Sequence, residues 1–244
     1  MIIKKVNRPF FEIKKHVELV YETCLLLEND GKKDLSYLIN STVEGKGITY
    51  RELLEKGARD SDVPFSGGYI CHTSHFHHPW THCGYLTSYS SADKTADIFT
   101  RALDLWKKGH RGEAAYQLGR SLHLVQDIFM PQHAAVTAFN GHSQLETWLT
   151  DNWKPYQVTE GGYYHWKKTF ISENGKKHHL SSERVYDWID LGSHLSFKWY
   201  QKYFKKRKYN EETFQKVAAQ IVPHVLRYSA GYLNKFFFEA ETQE

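Results

Sequence analysis

The chain has 244 residues, 41% hydrophobic and 15% aromatic, enough to bury a substantial core, and no low-complexity tract marks it as disordered. Its net charge of +4, from 32 basic and 28 acidic side chains, allows an anionic substrate or membrane surface but does not by itself indicate a nucleic-acid binder. Three cysteines exclude a disulfide scaffold, and no apolar run approaches the ~20 residues of a membrane span.

The start, "MIIKKVNRPFF", lacks the apolar segment of a secretory leader, which fits a cytoplasmic chain or one whose leader lies outside this sequence. Ile13, Val17, Val20, Cys24 and Leu27 recur at helical spacing and mark a first helix that "NDG" at 29–31 ends, with Cys24 expected in the core. "TYRE" at 49–52 is a capping box opening a short helix, which Gly57 is expected to close. Residues 63–90 look like a loop rich in Gly, Ser, His and Tyr, with Cys71 and Cys83 bracketing its histidines as a pair or as free thiols. A helix follows over about 92–108, with Ala96, Phe99, Leu103 and Trp106 facing inward. After Gly109 and Gly112 the next helix carries "SLHLVQDIFMPQH" and is expected to end at Pro131. Asn140 is placed to cap "GHSQLETWLTDNW". Beyond it, 158–180 looks like a loop with a small hairpin, and the basic run 198–209 like a solvated helix end. Asn210 caps a last helix through Phe238 with a bend at Pro223. With strand patterns nearly absent, and no repeat or linker, the expectation is one all-α, multi-helix domain over 1–244.

Fifteen histidines are many for this length. A carboxylate four residues after a histidine shares its helix face and is metal-competent, but chance alone gives roughly two such pairs. Three occur: His123/Asp127, His142/Glu146 and His179/Glu183. The last has no other ligand nearby and is expected to be a surface pair. The first two are joined by His133, so five ligand types fall within 24 residues on two consecutive helices and their connection. Facing antiparallel helices could turn them inward, where mixed imidazole and carboxylate donors suit zinc. The residues alone leave open a metal cluster and separate, metal-free His–carboxylate pairs.

The letters around this pattern resemble the bacterial zinc-dependent phospholipase C family, the lecithinase type. "YQLGRSLHLVQDIFMPQHAA" followed by "GHSQLETW" has that family's ordered signature, H-x-x-x-D, a His six residues on, then H-x-x-x-E. "KKHVELVYETCLLLENDG", "LLEKGARDSDVP", "SHFHHPW", "DNWKPYQVTEGGYYHW" and "RYSAGYLNKFF" extend the likeness over nearly the whole chain. The resemblance implies an all-α fold around a cluster of two to three zinc ions. It implies one ion on Asp62, His75, His123 and Asp127, and a second on His133, His142 and Glu146. A third would take His16, a bridging Asp127, and the backbone amine and carbonyl of the first residue, here Met1. Asp62 is preferred to Asp60 because it stands five residues after Gly57, where the family has its ligand. The likeness ends with the helical part and so implies no appended lipid-binding domain.

Two departures bear on substrate. The family's mature chain begins with tryptophan, whereas the first here is Trp80. Its choline-binding members carry aromatics where this chain has Val63 and His72, so a cation–π box for a quaternary ammonium is not expected. Val63 and His72 remain candidate substrate contacts. His77, His78 and His82 are expected to support the ligands or lie at the surface, with a phosphate contact open to one of this group of loop histidines. The implied reaction is phosphodiester hydrolysis at a phospholipid membrane surface, releasing diacylglycerol and a phosphorylated headgroup. Asp62 would be both ligand and general base or water-orienting group. No stable protein partner is implied, and the resemblance suggests an extracellular site of action. The rivals are a single-strand-specific nuclease of the same fold, which would want an aromatic slot for a base, and a non-catalytic zinc protein.

Overall fold

The computed structural model describes residues 11–63, 72–87, 89–172 and 174–242. Helices dominate: α1 (Phe11–Asn29), α2 (Lys33–Asn40), α3 (Tyr50–Asp60), α4 (Ser91–Lys107), α5 (Arg111–Asp127), the single turn α6 (Pro131–Ala134) and α7 (His142–Asn152). A hairpin, β1 (Lys167–Ile171) antiparallel to β2 (Lys177–Ser181), precedes α8 (Val185–Trp199) and α9 (Glu211–Glu241). No described helix is long and apolar enough to cross a membrane.

Local chemistry sets most boundaries. Gly31 takes φ +76° and lets the amides of Gly31 and Lys32 turn back onto the carbonyls of Glu28 and Leu27, closing α1. Thr49 and Glu52 form the expected reciprocal box at the start of α3, Ser90 caps α4, and Asn210 with Thr213 caps α9. α9 runs through Pro223 without interruption.

α5 is the central helix, packed between α3 and α4, and its face is buried from Ala114 to Val125. Two glycines set its distance from α3. A Cβ on Gly57 would lie 2.0 Å from the Tyr116 carbonyl oxygen, and one on Gly119 would lie 2.1 Å from that of Leu54. Gly57 therefore does not close α3, which continues to Asp60. It permits the close crossing that brings the exit of α3, with Asp62, beside His123. α9 closes the core with Val225, Tyr228, Tyr232 and Phe236 against Phe99, Phe129 and Trp188.

Four local features differ from the sequence reading. α2 leaves no convincing period in the sequence, its eight residues being too short for one. Nor does α8: it is so enclosed that Asp187, Asp190, Ser193 and His194 are buried with its apolar residues, which erases the one-sided stripe. α5 ends at Asp127, and Pro131 instead opens α6, where its fixed φ and missing N–H suit the first helical position. Gly141, at φ +84°, precedes α7, while Asn140 donates to the Tyr200 hydroxyl and the Phe204 carbonyl instead of capping.

Candidate metal centre

Residues from α1, the end of α3, the 72–87 loop, α5, α6 and α7 meet in one place. His123 and Asp127, one turn apart on α5, supply Nε2 and Oδ2, separated by 3.3 Å. Asp62 Oδ1 lies 3.3 Å from the same His123 nitrogen, and His75 Nδ1 lies 2.8 Å from Asp127 Oδ2 and 3.4 Å from His123 Nε2. His75 Nδ1 and Asp62 Oδ1 are 3.9 Å apart. Four donors around zinc at about 2.0–2.1 Å would be separated by about 3.3–3.4 Å, so these spacings bracket a tetrahedral cage.

The second carboxylate oxygen of Asp127 faces elsewhere. Oδ1 is 3.2 Å from His16 Nε2, which also lies 3.8 Å from Asp62 Oδ2. Asp127 thus spans two groups of donors. On its other side, His133 Nδ1 is 3.4 Å from Asp127 Oδ2, and the His133 and His142 rings meet edge to face at 4.8 Å. His142 Nε2 and Glu146 Oε1 are 2.7 Å apart. The donor atoms of His133, His142 and Glu146 all lie within 4.8 Å of one another.

The electrostatics suit a cation. Burial opposes ionisation of Asp127 and Asp62, but neighbouring imidazoles outweigh it and hold both carboxyls below the usual range, Asp127 well below. Burial also pulls His123 down, yet Asp62 and Asp127 together hold it well above its ordinary value. Burial keeps the His133 imidazole neutral, its pKa pushed down to about 3, while Glu146 raises that of His142 against its own burial. A metal ion requires neutral imidazoles and ionised carboxylates, so binding one would displace the protons that the carboxylates favour on His123 and His142. Packing this many such groups away from water is costly unless a cation compensates them, so the donor set fits bound metal.

Of the candidates named from the sequence, the structure brings together His16, Asp62, His75, His123, Asp127, His133, His142 and Glu146. Asp60 is turned elsewhere, held by Arg59 and accepting from the Tyr116 hydroxyl. Met1, the His72 side chain and Cys71 lie outside the described residues, while Val63 is half-buried beside Asp62. His179 and Glu183 are both exposed but do not pair: His179 meets Thr169, and Glu183 meets Lys167. Cys24 is buried as expected, its thiol pushed up to about 12 by burial.

A cleft opens beside the centre. Lys15, His16, Gln126, Asp127 and Glu146 line its polar part, and Leu149, Trp153, Ile221, Val222 and Val225 its apolar wall.

No family model matches the chain. A phospholipase C of Bacillus cereus is 27% identical over 248 residues, covering 95% of this chain and 81% of that protein. A phospholipase C of Clostridium haemolyticum is 28% identical over 60% of this chain and 40% of its own length. The chain is thus similar over nearly its whole length to bacterial phospholipases C. Its fold is that of the alpha toxin of Clostridium absonum, with a TM-score of 0.75 at 19% identity, covering 93% of this chain and 64% of that one. An alpha toxin of Clostridium perfringens gives a TM-score of 0.71 at 17% identity, with 94% and 64% covered. The chain thus spans less than two thirds of each toxin's length.

Two buried polar residues stand outside the ligand set implied by the likeness and outside the spacing rule. Gln126 Oε1 lies 2.7 Å from His16 Nδ1, which as donor leaves Nε2 to face the carboxylates. Its only signal in the sequence is a polar residue next to a candidate ligand on a helix otherwise buried there. Asp190, on α8, holds His77 and His82, with distances of 3.1 and 3.4 Å to one oxygen. Asp190 and His194 are four apart with the acid first, an order that counting acids after histidines passes over.

Proposed function

We propose that the protein is a zinc-dependent phosphodiester hydrolase of the phospholipase C type, its 1–244 span forming one catalytic unit. The observation that carries this reading is the convergence of the eight side-chain donors, three of which, His16, Asp127 and Glu146, line a cleft whose other wall is apolar. Asp62, His75, His123 and Asp127 would hold one ion, His133, His142 and Glu146 a second, and His16 with Asp127 would contribute to a third. Zinc so held supplies electrophilic attraction for phosphoryl oxygens and lowers the pKa of a bound water toward neutrality.

The chain's own residues do the rest. Asp62 is ionised and nearly enclosed, so it can orient a water and accept its proton. Gln126 fixes the His16 ring, and Lys15, ion-paired with Glu18, lines the same cleft. Leu149, Ile221, Val222 and Val225 exclude water from that side and offer an apolar surface to the glycerol and acyl portion of a phospholipid. The substrate is accordingly a phospholipid at a membrane surface. The phospholipase C naming of the Bacillus and Clostridium relatives supports the same activity.

Zinc-loaded protein incubated with mixed phospholipid vesicles should release phosphorylated headgroups, and Asp62→Asn should cut the rate by about 10²- to 10⁴-fold, the worth of a positioned general base. Single-stranded DNA cleavage without lipid turnover would move the protein to the nuclease reading. Neither activity, with zinc bound, would make the cluster a stabilising element only.

A further inference from the structure

A second group of donors lies across the 72–87 loop from the main centre. His77 Nε2 and His82 Nδ1 converge on a single oxygen, Asp190 Oδ1, at 3.1 and 3.4 Å. All three donor atoms fall within 4.8 Å of one another. His77 is fully buried and Asp190 is 2% exposed, whereas His82 opens to a cleft also lined by Trp80, Lys176 and His178.

The local backbone is built to make this meeting. The His78 amide donates to the Cys83 carbonyl at 3.0 Å, and the His82 amide donates to the His78 carbonyl at 2.8 Å. That tight loop carries His82 round to the side of His77, and His82 holds a left-handed φ of +56° to do so. A non-glycine residue in that region is uncommon, and such conformations gather at ligand clamps. Asp190 comes from α8, remote in sequence and seated against the loop.

We propose that His77, His82 and Asp190 form a further divalent-metal site, separate from the main centre, with zinc as the favoured ion. Two imidazoles and a carboxylate are a zinc donor set, and their approach distances match the roughly 3.3 Å between donors of one tetrahedral ion. His82 opens to the cleft, from which water could complete the coordination of such an ion. An ion there fastens the 72–87 loop to α8. The same loop carries His75 and rests on α6 through the His77 amide, 3.3 Å from the His133 carbonyl. The site would therefore brace one ligand of the main centre from behind. This inference rests on the donors alone and does not require the proposed activity.

The test is a count of zinc per chain on the full-length protein, by native mass spectrometry after dialysis against zinc. His82→Asn is the informative variant, because asparagine accepts a left-handed φ and the position is half-exposed. His142→Ala is the reference, removing a ligand of the main centre. His82→Asn should hold one ion fewer than wild type, and the double variant should fall below either single variant. Asp190→Asn should reproduce the loss, with circular dichroism to confirm that it folds. Equal counts in wild type and His82→Asn would overturn the assignment and leave a hydrogen-bonded His–Asp–His group. A loss of two or more ions from His82→Asn would also overturn it, since the site would then be part of the main centre. A failure of lipid turnover with the counts as expected would strike only the phospholipase reading.

Discussion

The molecule carries two histidine clusters built in different ways. In the main centre most donors stand on helices: His16 on α1, His123 and Asp127 on α5, His133 on α6, and His142 and Glu146 on α7. Rigid elements fix their spacing, and the close α3–α5 crossing at Gly57 and Gly119 brings Asp62 to them. In the second cluster two of three donors stand on a loop, and a single buried carboxylate from α8 gathers them. The first holds three carboxylates and five imidazoles, sharing Asp127, beside an apolar-walled cleft; the second holds one carboxylate. The difference teaches that density of histidine does not mark the reactive site. What distinguishes the main centre is its three largely buried carboxylates, whose charge a bound cation would offset.

The largest expected effect separates the clusters directly. Asp127→Asn, which weakens the oxygen pair spanning the donor groups, should lower phospholipid turnover by at least about 10³-fold. Asp190→Asn should cost at most about tenfold, the lower end for a group acting behind a metal ligand. Similar losses in both would erase the distinction. Next comes metal removal. At free zinc near 1,000 times Kd, binding adds about 4 kcal/mol to folding, and a chain of this size shifts by about 2–4 °C per kcal/mol. Chelation followed by a thermal scan should therefore lower Tm by about 8–16 °C, and an unchanged Tm would mean that the centre forms without stabilising the helices.

A smaller effect is expected at Gln126. Gln126→Leu removes the acceptor for His16 Nδ1 and should weaken metal binding there by about 10- to 100-fold, read by competition with a chelating dye. Wild-type affinity in that variant would show that α1 alone orients the ring. The smallest effect is a control remote from both clusters. Asp30 accepts from the Gly161 and Gly162 amides at 2.8 Å and from the Tyr164 hydroxyl, tying the end of α1 to the distant loop that precedes β1. Burial works against its ionisation, but these donors outweigh it and lower its pKa. The resulting stability is present above the ordinary carboxyl value of about 3.9 and is lost as pH falls through the lower folded value. Asp30→Asn should cost about 1 kcal/mol at neutral pH, discounted for partial solvation. Denaturant midpoints of variant and wild type should converge below about pH 4 while zinc content at neutral pH stays equal.

Much of the main centre was legible in the chain. His123/Asp127 and His142/Glu146 follow helical spacing, and a helix converts four-residue spacing into proximity whatever surrounds it. The capping boxes at Thr49 and Asn210 are likewise local. α8 was not legible, because a helix enclosed on nearly all sides has no polar face to set the period. Gly57 misled for a related reason: a glycine that ends a helix and one that admits a neighbouring backbone look alike in sequence.

By itself the sequence determined the helices other than α2 and α8, and the His–carboxylate pairs along α5 and α7, because backbone periodicity and capping act over a few residues. Spacing along the chain does not bring Asp62 and His75 to His123, a grouping that only the family resemblance implied; tertiary structure makes it, sets Gln126 against His16, and draws His77 and His82 together on Asp190. These contacts join residues far apart in the chain, and their distances come from how closely helices can pack, a property no local pattern of side chains encodes.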